Sequence, residues 1–304
     1  MSPLISGVSR GMRMIWRWAH WLSLDVMVGA WISAQWVGDA WGEPPSDWSL
    51  IALASGALWV YSTDHWADAQ RIHLERDRST LSLRRAYYVE ARSLLLTLIA
   101  ITTLTGAFAS AQLPPVTLFI GVGCLALCGL YLWIAQRLTF KVSAVPKEAM
   151  ITALYTLALS LWPLSSWIVT DHPLPLRGTL VTALIATLAW SNLCLISAHE
   201  RSADLMEGSA SIATRLGETR ARSLGRRGLT IATGVWCIGG ALSLISVPPT
   251  RTLTTADLSV SALMISTLWA LYATPQWSVT DSRYRRWADL IFLYPILTHC
   301  SFSL

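Results

Sequence analysis

Charge is scarce in this sequence: Asp, Glu, Lys and Arg make up 13% of 304 residues, about half the usual share. That is too little to solvate a globular surface. With 53% hydrophobic residues and 17 Trp, and a mean hydropathy of +0.46, the chain is excluded as a disordered protein. It is likewise excluded as a nucleic-acid binder, despite a formal net charge of +5. Cysteine is also sparse. Cys124, Cys128, Cys194, Cys237 and Cys300 all fall in apolar stretches, and an odd number with no loop member gives no disulfide framework. The redox compartment is therefore not legible. The solvent these numbers imply is the bilayer.

A helix that crosses the hydrocarbon core needs about 20 largely apolar residues, because only a helix or a closed barrel satisfies its backbone without water. Nine stretches qualify: 14–37, 48–66, 88–110, 114–135, 148–170, 178–199, 229–247, 256–273 and 287–303. Pro44-Pro45, Pro114-Pro115 and Pro248-Pro249 separate consecutive stretches, where a missing amide proton costs little and stops a helix sharply. The first stretch is flanked by Arg10, Arg13 and Arg17 but lacks a small-residue cleavage site, so it reads as a retained helix.

Basic residues set the orientation, since cytoplasmic segments accumulate them. The N-terminal tail and the loops after the second, fourth, sixth and eighth spans hold 20 of the 23 Lys and Arg, while the opposite side holds Arg177 and Arg251. The N-terminus is therefore expected in the cytoplasm, in a multi-pass protein of the inner (cytoplasmic) membrane. Membrane lipids are its surroundings, and nucleic acid is not among its partners.

Two of the basic loops open with acids emerging directly from a span. The first reads Ser62-Thr63-Asp64-His65-Trp66-Ala67-Asp68 and the second His199-Glu200-Arg201-Ser202-Ala203-Asp204-Leu205-Met206-Glu207. Asp64 and Glu200 are 136 residues apart, and so are Asp68 and Asp204, with Ala67 and Ala203 in register. Equal spacing points to a diverged internal repeat, and repeated halves commonly place a functional site at their interface. Acids at i and i+4 of a helix lie about 40° apart, so Asp64 shares a face with Asp68, and Glu200 with Asp204 and Glu207. Such like charges near a membrane interior call for a cation. Hard oxygens on two helices suit Mg²⁺, which takes one or two carboxylates together with substrate phosphates, diphosphate being the natural source. The plainer alternative is that these acids solvate helix ends or pair with neighbouring arginines.

The run from Glu200 through Asp204, Gly208 and Ser211-Ile212-Ala213-Thr214-Arg215-Leu216-Gly217 resembles the second aspartate motif of the UbiA-type intramembrane prenyltransferases. Nine helices, a cytoplasmic N-terminus and acids after the second and sixth helices agree with that family along the whole chain. The first motif departs from the family pattern N-D-x-x-D-x-x-x-D. Aligned on Asp68, it has Asp64 at the Asn, His65 at the first Asp and Ile72 at the last. The resemblance implies an all-α polytopic membrane protein, nine transmembrane helices around a central apolar cavity. The chain 1–304 is one domain, with halves at about 14–135 and 148–273 and a final helix at 287–303. It implies Mg²⁺ held by Asp64, Asp68, Glu200, Asp204 and Glu207, an isoprenyl diphosphate as donor and a lipophilic, often aromatic, acceptor. Lys141 stands where the family carries a cation for the diphosphate, and Arg76, Arg78 and Arg215 are further candidates, unless they serve only as positive-inside charges.

Under this reading the cation left by an ionising allylic diphosphate is shielded from water by apolar walls and stabilised by aromatic faces. Tyr155, Trp162, Trp190, Trp236 and Trp269 are the mid-span aromatics available. Asp25 in the first span is a candidate acceptor contact or a packing hydrogen bond, and Asp289 a partner for Arg285 or Arg286. His65, His73 and His199 flank the acids as tuning groups or spare polar residues. Two rival functions remain: a terpene cyclase on the same scaffold, and a non-catalytic membrane protein that binds or transports a lipid.

Overall fold

The computed structural model describes residue 19 and residues 21–75, 83–137, 147–170, 174–207, 210–245, 252–274 and 283–299. These residues form helices with no strand among them: α1 (Leu24–Trp41), α2 (Asp47–Glu75), α3 (Leu83–Glu90), α4 (Arg92–Ser110), α5 (Pro115–Arg137), α6 (Lys147–Thr170), α7 (Leu176–Glu207), α8 (Ile212–Leu216), α9 (Glu218–Leu244), α10 (Thr255–Ala273), α11 (Arg283–Leu290), a 3₁₀ turn (Ile291–Leu293) and α12 (Ile296–His299). Among the described residues four helices are long and apolar enough to cross a membrane, Arg92–Ser110, Lys147–Thr170, Leu176–Met206 and Thr255–Ala273, and Pro115–Tyr131 is a shorter apolar one.

The helix ends follow local chemistry. Gly42 closes α1 at φ 77°, a left-handed conformation suited to glycine. Its amide bonds back to the Asp39 carbonyl, and Pro44-Pro45 follow. Pro115 opens α5 at the position where a missing N–H costs nothing. Thr254 and Asp257 form a reciprocal capping box at the start of α10.

Three expectations are corrected. The acidic motifs are not loops: α2 runs on to Glu75 and α7 to Glu207, because neither 62–75 nor 199–207 contains a Gly or Pro to stop the helix. The third stretch is two helices, divided at Ala91 between exposed Glu90 and Arg92. The last stretch is not one helix, since α11 passes into a 3₁₀ turn and restarts after Pro295, which has no amide proton to continue the ladder.

The core gathers Trp36 of α1, Leu184, Leu188 and Leu195 of α7, and Met264 and Leu268 of α10. Glycines set how tightly α9 approaches: a methyl at Gly225 would overlap the Tyr272 hydroxyl, and one at Gly228 would fall 2.6 Å from Trp190. Close approach through small residues is how helices associate where lipid is as apolar as leucine. Leu104 of α4 and Phe119 of α5 are instead 72% and 82% exposed, an arrangement costly in water and neutral against acyl chains.

Candidate active site

A cavity of about 1120 Å³ lies among α1, α2, α4, α5, α6 and α7, with α3 and α11 adding to its wall. Three of the five expected carboxylates line it: Asp64 from α2, and Glu200 and Asp204 from α7. Asp68 and Glu207 are placed as helix positions only, while Arg76, Arg78 and Lys141 lie outside the described residues. Arg215 is exposed and is not among the cavity-lining residues.

Each acid is held by its surroundings. The Glu200 Oε1 accepts from the Tyr284 hydroxyl at 3.0 Å and from Arg285 at 2.8 Å. Arg285 also stands 3.9 Å from Asp289, which accepts from Asn192 at 3.3 Å. The expected pairing of Asp289 is thus present, through Arg285. Burial opposes the charge on Arg285, but Glu200 and Asp289 outweigh it and hold the pKa above the usual guanidinium value. Asp204 lines the cavity together with Ser211, Lys147 and Glu148. His65, one of the flanking histidines, meets Ser23 at 3.1 Å and Tyr88 at 3.2 Å through Nε2 and stacks on the Tyr88 ring. Ser23 has the one positive φ among the described non-glycine residues, 57°. His199 stacks on Tyr284.

Sequence reasoning missed Glu148, the second residue of α6. It is 4% exposed and lines the cavity. Its Oε1 accepts the Ile212 amide at 2.8 Å, and its buried Oε2 has no hydrogen-bond partner among the described residues. A lone acid next to Lys147 at a span start reads as a solvated helix end, and only packing against 210–213 brings it inside. Lys147, Tyr284 and Arg286 were likewise absent from the expected site and line the same cavity.

Of the five mid-span aromatics only Tyr155 and Trp162 line the cavity. Trp190 packs on the small cluster around Cys194 and Ala221, Trp236 donates to the Leu258 carbonyl at 2.9 Å, and Trp269 is 38% exposed. Helix phase, invisible in span limits, decides which aromatic faces inward. Tyr61, Tyr131 and Trp59 add to the aromatic wall, and leucines such as Leu53, Leu125 and Leu159 supply its apolar part.

No three His, Cys, Asp or Glu side chains among the described residues converge as a metal cage. The donor set is nevertheless hard oxygen, and an ion held by one or two carboxylates and completed by phosphate oxygens needs no such cage. The residues fit Mg²⁺ in that shared form.

No protein-family model matches the sequence, and no curated protein matches it. Two solved structures do resemble the fold. One is the apo structure of a UbiA homolog from Aeropyrum pernix K1, with a TM-score of 0.64 at 14% identity, covering 90% of this chain and 98% of the other. The second is described as giving structural and mechanistic insights into digeranylgeranylglyceryl phosphate synthase in membranes, with a TM-score of 0.50 at 13% identity, covering 91% of this chain and 90% of the other. The chain is an all-α integral membrane protein with the fold of the UbiA-type intramembrane prenyltransferases.

Proposed function

We propose that this protein is a Mg²⁺-dependent prenyltransferase that moves an isoprenyl group from its diphosphate to a lipophilic, aromatic or lipid-like acceptor. The observation that carries the reading is that Asp64, Glu200 and Asp204, from α2 and α7, line one cavity together with leucines, Tyr155 and Trp162. Anionic oxygen for a cation and an apolar slot for a hydrocarbon chain thus occur in one space. In the proposed arrangement the N-terminus and the acids face the cytoplasm, in keeping with the basic loops.

In the reaction, the bond between C1 of the prenyl chain and the diphosphate oxygen breaks, and both electrons leave with diphosphate. The acceptor supplies the pair that forms the new bond to C1 and releases its proton. Asp64, Asp68 and Asp204, with Glu200 and Glu207 beside them, would hold Mg²⁺, which neutralises charge developing on the diphosphate oxygens. Lys141, Arg76 and Arg78 are proposed as further cations for the diphosphate, with Arg215 the outlying member of that set. Tyr155 and Trp162, which line the cavity, would stabilise the allylic cation through their π-systems, worth about 0.5–2 kcal/mol each, and the leucine walls would keep water from quenching it.

The test is release of diphosphate by the purified protein with Mg²⁺ and a panel of isoprenyl diphosphates, with products identified by mass. Prenylated acceptor supports the reading, and a cyclic hydrocarbon formed without acceptor replaces it with a terpene cyclase. Absence of turnover across the panel, with Asp68→Ala and Asp204→Ala indistinguishable from wild type in diphosphate binding, leaves a lipid-binding protein instead.

A further inference from the structure

We propose that Arg285 is a fixed cation of this cavity that binds the diphosphate directly, in the place of a divalent ion at Glu200. The inference rests on the prenyltransferase reading, because it needs a diphosphate in the cavity. It begins with Glu200, whose Oε1 already receives two donors from consecutive residues of α11, Tyr284 at 3.0 Å and Arg285 at 2.8 Å. That oxygen, carrying two hydrogen bonds, one of them from a full positive charge, has little left to offer a second cation, and the adjacent guanidinium charge repels a divalent ion from the other oxygen. The charge that a metal would bring to this side of the cavity is therefore already covalently attached to the protein.

Arg285 has donors to give. A guanidinium carries five N–H groups in a planar fork matched to phosphate oxygens. Among the described residues one hydrogen bond joins it to Glu200, and the Asp289 contact at 3.9 Å is too long to be a hydrogen bond. The side chain is 22% exposed and lines the same cavity as Asp64 and Asp204. Glu200 and Asp289, on either side, fix where the fork sits. Glu200 thus becomes a positioning residue for Arg285, and the metal-holding role narrows to the other acids.

The test is calorimetric titration of the purified full-length protein with inorganic diphosphate, once in EDTA and once in Mg²⁺. Wild type is expected to bind diphosphate in EDTA, and Arg285→Gln to weaken that binding about tenfold or more. Arg285→Lys, which keeps the charge and loses the fork, should fall between them. Glu200→Gln should change binding in EDTA, where no metal can act, because it loosens the Arg285 fork, whereas Asp204→Asn should change only the part that Mg²⁺ adds. The inference is overturned if wild type fails to bind in EDTA, if Arg285→Gln binds as tightly as wild type, or if Glu200→Gln leaves binding in EDTA unaltered and lowers only the Mg²⁺-supported part, as Asp204→Asn does. Should Arg285→Gln fail to fold, the Lys variant and Glu200→Gln decide the matter. Failure of the prenyltransferase reading shows separately, as absent prenyl transfer with diphosphate binding intact.

Discussion

Glu148 reaches across 64 residues of sequence to accept the Ile212 amide proton at 2.8 Å with Oε1, while its buried Oε2 has no hydrogen-bond partner among the described residues. The same short helix is pinned by Ser197, which accepts from the Ala213 amide at 3.0 Å, and by Arg201, which donates to the Ala213 carbonyl at 3.1 Å. Ser211, which lines the cavity together with Asp204, sits at the start of this turn. Glu148→Ala leaves a buried amide unpaired and should destabilise the protein by about 1–3 kcal/mol. Glu148→Gln keeps an oxygen acceptor and should cost less than about 1 kcal/mol. Thermal unfolding of the two variants, with hydrogen exchange at Ile212, distinguishes a pin from a solvated helix end: equal melting points would remove the structural role.

Asp204 gives the sharpest test of the carboxylate cluster. Asp204→Asn preserves the size of the side chain and one acceptor oxygen, yet removes the charge that would meet a cation. Diphosphate release should fall about 100-fold or more, with a rise in the Mg²⁺ concentration needed for half-maximal rate and no loss of melting temperature. A variant that releases diphosphate at the wild-type rate would take this residue out of the site.

How much of this was legible in the sequence depends on which physical signal each feature leaves. Apolar runs announce membrane helices because every backbone group must be satisfied within the run, so the limits of α5, α6 and α10 match the expected stretches within two residues. The acids were legible because charge is expensive at the end of an apolar span, and Asp64, Glu200 and Asp204 do line one cavity. Where helices begin again after a break was less legible: Ala91 carries no breaker signature, and the expected stretch 287–303 runs straight through Pro295. Glu148 and Arg285 escaped for a different cause. Each looks like an ordinary charged residue at a span boundary, and its meaning comes from a partner more than 60 residues away, Ile212 for one and Glu200 for the other.

Arg177 shows the same limit. In the sequence it is a stray positive charge on the side with few, yet it closes on Asp257 with Nε to Oδ2 at 2.8 Å and NH2 to Oδ1 at 3.2 Å. Trp36 adds a third donor at 2.7 Å and the Thr254 amide a fourth at 2.8 Å, tying α1, α7 and α10 together. Removing one partner strands a carboxylate that has no exposed side-chain area. Arg177→Ala should therefore destabilise by about 3–5 kcal/mol, read as a lowered unfolding temperature in detergent. The double variant Arg177→Met/Asp257→Leu should unfold at a higher temperature than Arg177→Ala, because no orphaned charge remains. The reverse order would mean that the pair contributes attraction beyond its own desolvation.

The length of prenyl chain accepted should be set by the small residues of the cavity wall. Gly121 of α5 lines the cavity, and a methyl placed there meets only Leu161 Cδ1, at 3.7 Å, so a larger side chain enters the cavity without displacing backbone. Gly121→Phe would fill part of the 1120 Å³ while leaving the acids of α2 and α7 untouched. Under the proposed function, the ratio of kcat/KM for a long prenyl diphosphate to that for a short one should drop about tenfold or more, since each methylene excluded from an apolar pocket is worth about 1–3 kcal/mol. Binding of inorganic diphosphate should stay at the wild-type level, because that ligand never occupies the apolar part. If the ratio is unchanged while Gly121→Phe remains folded, the hydrocarbon chain lies elsewhere than between α5 and α6.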